Sequence, residues 1–226
     1  MARRPSLRDA ITISGPAGQL EALLEEPKEL SQAKVAVLCH PHPQYQGTML
    51  NKVVHTLARS MNELGLPAVR FNFRGVGASE GAYAKGVGET EDTLRVIEWA
   101  LDRYPGTELC LVGFSFGAMV ACRAALSANP CQLVTVAPAV SRMQGLLGGS
   151  QPECPWLVVQ GEADEVAICS EVVEWLNGLA PGPELVVLPE VGHFFHGCLT
   201  VLRQTVVSHL HAKWTKPDLS AGKSAG

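Results

Sequence analysis

Short apolar runs alternate with longer segments of helical spacing along most of this chain. Strand-length runs lie at residues 35–38, 68–73, 109–112, 133–136, 156–159 and 185–188. Two further strand-like segments, at residues 11–14 and 20–25, precede them and are joined by the turn sequence GPAG. Apolar runs of this length that are bounded by turn residues are typical of strands. The sequence therefore predicts about eight strands.

Segments with helical spacing separate these runs. Apolar residues recur every three or four positions over residues 49–61 and stop before Gly65, a favourable helix terminator. A second helix is predicted to begin near Thr90, because Glu91 and Asp92 would then stand in its first turn and complement the helix dipole. Further helices fit residues 116–128, 170–179 and 197–211. This order of elements predicts an α/β fold with a mostly parallel central sheet and helices on both faces.

Length and composition favour one compact domain. The chain has 226 residues, of which 46% are hydrophobic and 18% charged, enough to build one sizeable core. We predict a single domain over residues 1–226, with an ordered core at about residues 8–212. The segment 213–226, KWTKPDLSAGKSAG, is polar and rich in small residues and is predicted to be a flexible tail. This length leaves room for little or no cap domain.

Charge and hydropathy argue against several classes of partner. A formal net charge of −4 provides no basic field for nucleic acid, and the apolar runs fall short of the roughly 20 residues that a membrane span needs. The start MARRPSLRDA lacks the apolar region of a secretory signal. Seven cysteines without a C-x-x-C pair favour buried, reduced thiols. We expect a cytoplasmic protein with no nucleic-acid or membrane partner, and a homodimer remains open.

One motif carries chemistry. The sequence LCLVGFSFGAMVA places Gly113, Ser115 and Gly117 between an apolar strand and a helix of small residues. A G-x-S-x-G nucleophile elbow requires this context, because the serine sits on a sharp turn from strand to helix. Larger side chains at the two glycines would collide with the neighbouring strand and helix. The alternative is a glycine-rich turn with an idle serine.

A serine nucleophile needs a base within hydrogen-bond reach and a third group that orients the base. After the run 156–159, the sequence QGEADEV offers Asp164, and after the run 185–188, PEVGHFFHG offers His193. The chain order Ser, Asp, His is the one expected for this type of elbow. Each candidate stands in a loop just past the carboxyl end of a strand, where functional loops of α/β sheets gather.

The segments CHPHPQYQGTMLNK, RFNFRGVGASEG, GFSFGA, GEADEV and GHFF resemble the α/β-hydrolase superfamily over about residues 33–202. Within it, the chain is similar to small, lid-poor serine esterases of the dienelactone hydrolase-like and carboxylesterase group, and to acylaminoacyl-peptidase catalytic domains. The resemblance implies that Ser115 is the nucleophile, His193 the general base and later acid, and Asp164 the carboxylate that fixes the histidine tautomer. Dienelactone hydrolases carry cysteine where this chain has Ser115, so the resemblance does not extend to that activity.

Neighbouring residues offer alternatives for two of these roles. In the resembling families the acid stands three residues after a glycine, which favours Asp164 over Glu162 and Glu165. His196 follows His193 by three residues and is expected to open the last helix as a cap or packing residue.

The segment FRGVGASEG has its glycines one residue off the dinucleotide-binding fingerprint, so that reading is rejected. The resemblance instead makes Arg74 a structural ion-pair or hydrogen-bond anchor below the site.

The loop CHPHPQYQG is predicted to complete the oxyanion hole. Acyl transfer needs a second donor besides the backbone N–H of Phe116, and in this fold it comes from the loop after the third strand. Proline has no N–H, so Pro41 and Pro43 cannot donate and His42 is the donor that remains. One alternative is a zinc site on His40 and His42, although no third ligand is suitably spaced. Another is a rigid loop with two idle imidazoles.

The predicted function is a serine hydrolase that cleaves carboxylic esters or thioesters of small to medium acyl groups through an acyl-enzyme, with no cofactor and no metal. The pocket is expected to be open and walled by Tyr45, Phe114 and Phe194, with Phe195 as a further candidate. Two alternatives remain: a peptidase or amidase of the acylaminoacyl-peptidase type, and a non-catalytic binding protein that keeps the fold.

Overall fold

The computed structural model describes residues 10–215, except the side chains of residues 142–144. Eight strands form one sheet in the order β1-β2-β4-β3-β5-β6-β7-β8. Only the pairs β1–β2 and β2–β4 are antiparallel. The strands are β1 (Ile11–Gly15), β2 (Gly18–Glu25), β3 (Lys34–Cys39), β4 (Ala68–Phe71), β5 (Glu108–Phe114), β6 (Gln132–Val136), β7 (Trp156–Gly161) and β8 (Glu184–Leu188). The predicted mostly parallel sheet of about eight strands is confirmed.

Helices cover both faces of the sheet. Helix α1 packs against α6, and helix α2 packs against α3. The helices are α1 (Lys52–Glu63), α2 (Val87–Arg103), α3 (Phe116–Ala128), α4 (Val140–Met143), α5 (Cys169–Asn177) and α6 (Leu199–Trp214). The predicted α/β fold class is confirmed.

The core runs along the central strands. Every residue of β6 and β7 is buried, and in β5 only Glu108 is exposed. Helices on both faces exclude water from both sides of these strands. The strand sequences are therefore almost continuously apolar and do not alternate between apolar and polar residues. The carboxyl ends of the parallel strands meet at one edge of the sheet, where the loops that follow them lie side by side.

Helix α2 begins three residues before its predicted start. Gly86 occupies the capping position with φ 87°, and the carboxylate of Glu89 accepts hydrogen bonds of 2.7 Å from the backbone N–H groups of Ala84 and Gly86. This carboxylate pairs N–H groups that would otherwise be unsatisfied at the helix start. Glu91 and Asp92, which predict a start near Thr90, lie beyond the first turn of the helix, and the acid of the first turn is Glu89.

The prediction of a flexible tail from residue 213 is wrong for its first two residues, because α6 continues to Trp214. Lys213 Nζ lies 2.8 Å from a carboxylate oxygen of Glu184 on β8, and Lys34 Nζ lies 5.4 Å from the ring centroid of Trp214. These contacts hold the last helical turn on the sheet. Residues 1–9 and 216–226, which include most of the predicted tail, lie outside the described residues.

The connection between β6 and β7 carries only α4 and a 3-10 turn at Gln144–Leu147, neither of which was predicted. This agrees with the expectation of little or no cap domain. Within residues 10–215, no helix is both long and apolar enough to cross a membrane.

Candidate active site

Ser115 stands on the turn between β5 and α3. Its backbone has φ 56° and ψ −116°, and its N–H donates to the carbonyl of Val136 on β6 at 2.9 Å. A Cβ added at Gly113 would lie 2.3 Å from the carbonyl oxygen of Gly117, and one added at Gly117 would lie 2.4 Å from two carbonyl oxygens at the end of β3. Backbone approaches this close admit only glycine on either side of the serine.

Three side chains form a continuous chain of hydrogen bonds. His193 Nε2 lies 3.0 Å from the Oγ atom of Ser115, and His193 Nδ1 lies 2.9 Å from Oδ2 of Asp164. A carboxylate accepts hydrogen bonds only, so Nδ1 carries the proton and Nε2 is left to accept from the serine hydroxyl. All three residues are buried. This is the geometry of a serine activated by an oriented base.

Backbone donors hold Asp164 in place. Its Oδ1 atom accepts from the N–H groups of Val166 and Ala167 at 2.8 and 2.7 Å. The side-chain amide of Gln160 on β7 lies 3.3 Å from Oδ2. These bonds fix the carboxylate so that it orients the imidazole.

The acidic neighbours of Asp164 bond elsewhere. Glu162 accepts from the backbone N–H of Glu190 at 3.3 Å, and Glu165 accepts from the backbone N–H of His193 at 3.3 Å. Neither carboxylate forms a hydrogen bond with the imidazole of His193 among the described contacts. The structure therefore brings Asp164 to the imidazole rather than Glu162 or Glu165.

His196 is exposed, and its ring lies 5.8 Å from that of Phe194. Helix α6 begins at Leu199 with Cys198 in the capping position. The expectation that His196 caps the last helix is wrong, because the helix starts three residues beyond it.

His40, at the start of the loop after β3, is fully buried. Its Nδ1 atom lies 2.6 Å from the carbonyl oxygen of Pro41, and its Nε2 atom accepts from the backbone N–H of Phe73 at 3.1 Å. Both ring nitrogens are thus occupied in one neutral tautomer, and burial lowers the pKa of His40 to about 3. No group of three or more potential metal ligands occurs within residues 10–215, so the zinc alternative gains no support.

His42 joins the loop to one wall of the site. Its Nδ1 atom accepts from the N–H of Gln44 at 3.2 Å, and its Nε2 atom lies 3.1 Å from the hydroxyl of Tyr83. Its ring centroid lies 4.9 Å from that of Tyr45 and 4.7 Å from that of Phe116. These contacts give the imidazole of His42 a structural role in the loop, and the purely structural alternative for the loop remains beside the oxyanion prediction.

Phe116 is the first residue of α3 and directly follows Ser115. An N–H at this helix position has no acceptor within the helix, and the helix dipole favours negative charge there. The backbone at Phe116 is therefore chemically suited to receive an oxyanion.

A cleft of ≈ 940 Å³ opens over Ser115 and His193. Tyr45 and Phe194 line it, and their exposed fractions of 71% and 45% make it open to solvent. Its volume is in the range of small-molecule sites.

Two aromatic residues expected in the wall lie elsewhere. Phe114 is fully buried, does not line the cleft, and packs with its ring 5.1 Å from that of His193. Phe195 is also fully buried, with φ 53°, and belongs to the core. The prediction that they wall the pocket is corrected, because Phe114 is buried against the ring of His193 and Phe195 is buried in the core.

Several lining residues were not predicted from the sequence, among them Tyr83, Lys85 and Arg123. Arg123 stands seven residues after Phe116 on α3, and this spacing puts both residues on one helix face. That signal could have identified Arg123. Tyr83 and Lys85 lie in an irregular segment before α2 with no periodicity to reveal their direction.

Arg74 forms a structural ion pair, as the resemblance implied. Its guanidinium Nη2 lies 2.7 Å from Asp92 and 3.1 Å from Glu91, and the backbone N–H of Arg74 also donates to Asp92. The hydrogen bond to Asp92 raises the pKa of Arg74. Arg74 does not line the cleft.

Comparisons with known proteins agree with the fold. The model of the α/β hydrolase fold family matches residues 37–138. An uncharacterized protein of Rickettsia prowazekii, RP471, is 30% identical over 174 residues, which are 75% of this chain and 73% of that protein.

Two solved structures are similar over nearly the whole chain. XC6422 from Xanthomonas campestris, described as an α/β serine hydrolase without lid, is 40% identical with a TM-score of 0.87, over 92% of this chain and 96% of that one. An α/β serine hydrolase homologue from Coxiella burnetii is 42% identical with a TM-score of 0.86, over 92% of this chain and 100% of that one. From this identity, this coverage and its own eight-stranded sheet, the present chain is a member of the α/β-hydrolase superfamily.

Proposed function

We propose that this protein is a serine hydrolase that cleaves carboxylic esters or thioesters of small to medium acyl groups. The observation that carries the proposal is the chain of hydrogen bonds from Ser115 through His193 to Asp164 beside an open cleft. A serine hydroxyl at 3.0 Å from an imidazole whose other nitrogen is held by a carboxylate has a base ready to take its proton.

Acylation begins when the Oγ atom of Ser115 attacks the carbonyl carbon and its proton moves to Nε2 of His193. The carbonyl oxygen then carries negative charge, which the backbone N–H groups of Phe116 and His42 stabilise. The tetrahedral intermediate collapses as His193 returns its proton to the departing alcohol or thiol. Water deacylates Ser115 by the same sequence, with His193 as base and then as acid. Neither half-reaction needs an added cofactor.

The open cleft supports the substrate range. It can hold an acyl group of modest size between Tyr45 and Phe194, and both side chains remain accessible to solvent. Relatives of the acylaminoacyl-peptidase type commonly carry a separate gating domain, whereas the connection between β6 and β7 holds only short helical turns. These features favour ester and thioester substrates over peptides.

The test combines active-site labelling with a substrate panel. A fluorophosphonate probe is expected to label Ser115, because only a serine with an adjacent base reacts readily. Labelling should vanish in Ser115→Ala and persist in Ser170→Ala, which removes an exposed serine on α5. The panel compares p-nitrophenyl esters, acyl thioesters and aminoacyl amides by kcat/KM.

Labelling that persists in Ser115→Ala would remove the assigned nucleophile. Faster turnover of the amides than of the esters would favour the peptidase alternative. A protein that neither labels nor turns over any of the three substrate types would be a binding protein that keeps the fold.

A further inference from the structure

The charged residues that line the cleft all have the same sign. Among the described residues that line it, Lys85 and Arg123 are the only lysine and arginine, and none is an aspartate or glutamate. The whole chain nevertheless has a formal net charge of −4. A cationic cleft in an acidic protein concentrates anions at the site.

Arg123 is half-buried on α3, yet forms no ion pair with any carboxylate of the described residues. A guanidinium that has lost part of its hydration is normally paired, because removing a charge from water without a partner is costly. Its planar fork of donors matches the two oxygens of a carboxylate or a phosphate. Arg123 thus has an unmet capacity for an anion at the cleft wall.

Two buried carboxylates close to the cleft are already used. Asp164 accepts from two backbone N–H groups and from the imidazole of His193. Glu89 accepts from the backbone N–H groups of Ala84 and Gly86, on either side of Lys85. Both oxygens of each acid thus accept hydrogen bonds from local donors, and neither acid pairs with Arg123 or Lys85.

Lys85 is held in a backbone conformation that lysine seldom adopts. Its φ of 55° lies in the left-handed region, which favours glycine, and the bonds from its two neighbours to Glu89 fix it there. Such strain persists at functional sites, where the surrounding structure enforces it. Here it presents an exposed ammonium group to the cleft, without an ion pair to any described carboxylate.

We infer that the substrate carries a negatively charged group, a carboxylate or a phosphate, that Arg123 and Lys85 bind while its ester or thioester carbonyl lies at Ser115. This inference rests on the proposed hydrolase function. At a rise of 1.5 Å per residue, the Cα atoms of Phe116 and Arg123 are roughly 10 Å apart along α3. Side chains on a helix lean towards its N-terminus, so the guanidinium is directed back towards Ser115. The anion and the carbonyl are therefore separated by roughly 10 Å or less.

The experiment measures charge selectivity. Mono-p-nitrophenyl esters of succinate, glutarate and adipate are each compared with the methyl-capped neutral diester, and the selectivity is the ratio of the two kcat/KM values. We expect a ratio above one that falls with added salt, because salt screens exposed charges. The ratio should fall about tenfold in Arg123→Gln and severalfold in Lys85→Gln, since each variant loses a charge-assisted hydrogen bond. Arg123→Lys should recover part of the selectivity.

Arg59→Gln is the matched control, because Arg59 is an exposed arginine on α1 outside the cleft. The selectivity ratio of this variant should equal that of the wild type. All variants are first compared with the wild type by thermal melting. A second pair, butyryl-coenzyme A and neutral butyryl-N-acetylcysteamine, distinguishes an anion on the leaving group from one on the acyl group. The substrate pair with the higher ratio of anionic to neutral kcat/KM shows whether the charge is preferred on the acyl group or on the leaving group.

Turnover of neutral and anionic esters with ratios that Arg123→Gln does not change would refute the anion site while the hydrolase stands. If no ester is cleaved and Ser115 is not labelled, the proposed hydrolysis fails, and calorimetric binding of glutarate tests the anion site alone. Binding that weakens about tenfold in Arg123→Gln would support the site. Absent or unchanged binding would overturn it.

Discussion

A single buried histidine, His40, links the loop of the candidate oxyanion hole to the segment after β4. The backbone N–H of Phe73 donates to its Nε2 atom, and its Nδ1 atom bonds the carbonyl of Pro41. A second proton on the ring would have to sit on Nε2, opposite the N–H group of Phe73, and would make the buried ring positively charged. For this reason the folded protein keeps the imidazole neutral, with its pKa lowered to about 3.

This lowered pKa makes stability depend on pH. In the unfolded chain His40 takes up a proton below its ordinary pKa of about 6.5, whereas in the folded chain it does so only near 3. The stability contribution is therefore complete above about 6.5 and is lost as the pH falls towards 3. The free energy of unfolding should decrease by up to about 1.4 kcal/mol per pH unit in this window because of His40.

Urea unfolding of the wild type and His40→Gln across this pH window measures the effect. Glutamine can still accept from the N–H of Phe73, so the variant should fold. Its free energy of unfolding should change less steeply with pH than that of the wild type, by the equivalent of about one proton. His196→Gln serves as the control, because His196 is exposed. Equal slopes in the wild type and His40→Gln would mean that His40 is protonated in the folded state.

At the scale of residues, the sequence predicted which residues form the site better than it predicted which way their neighbours' side chains face. Ser115, Asp164 and His193 could be named because a motif and the chain order specify them. The burial of Phe114 could not be foreseen, because β5 is apolar on both faces and its pattern does not distinguish them. Arg123 could have been found from its spacing, because it stands seven residues after Phe116 on α3 and therefore shares its helix face, but the spacing does not specify that this face lines a cleft.

At the scale of elements, predictions succeeded where a local signal marks a boundary. Helix α3 occupies the predicted residues 116–128, because the elbow fixes its start and Asn129, in the left-handed conformation, ends it. The apolar periodicity predicts helix from Met49, whereas α1 begins at Lys52 after Asn51, whose side chain accepts a hydrogen bond from the N–H of Val53. Met49 is buried before the helix starts, so it continues the apolar pattern without being helical.

The loop between β3 and α1 permits a test of the second oxyanion donor. His42 has φ −55°, close to the value of about −65° that proline imposes, so His42→Pro fits the backbone angle while it deletes the N–H. We expect this variant to lose about 10²–10³ in kcat, the usual effect of one oxyanion donor. His42→Ala keeps the N–H and should retain most of the activity.

The alanine variant is also the control for the ring, because both substitutions remove the contacts of the imidazole with Gln44 and Tyr83. The proline variant must melt like the alanine variant and still take up fluorophosphonate, if more slowly. Equal loss of activity in both variants would assign the role to the imidazole instead of the backbone.

At the scale of the whole molecule, one continuous core supports both the sheet and the site. Three of the seven free cysteines are fully buried in it: Cys39 at the end of β3, Cys110 in β5 and Cys122 in α3. Burial raises the pKa of Cys39 to about 12, and it also raises the pKa values of Cys110 and Cys122. The thiolate is the reactive form of cysteine. In the folded protein these three thiols are therefore protected from alkylation both by their burial and by their raised pKa values.

Alkylation of the thiols should therefore report the cooperativity of the fold. With iodoacetamide at mildly alkaline pH, we expect the three buried thiols to react only through global unfolding, with the same free energy of opening. Strands β3 and β5 are neighbours in the sheet and α3 packs on both, so one cannot be exposed without disturbing the others. The half-buried thiols provide the comparison and should react earlier; they are Cys131, Cys154, Cys169 and Cys198.

Mass spectrometry of the alkylated protein at increasing urea gives a free energy of opening for each thiol, which is compared with the free energy of unfolding from circular dichroism. Coincidence for the three buried thiols supports a single cooperative core. If Cys39 instead reacts with a distinctly smaller free energy than Cys110, the end of β3 opens independently. The loop that carries His40 and His42 would then move separately from Ser115, and a preorganised oxyanion hole could not depend on it.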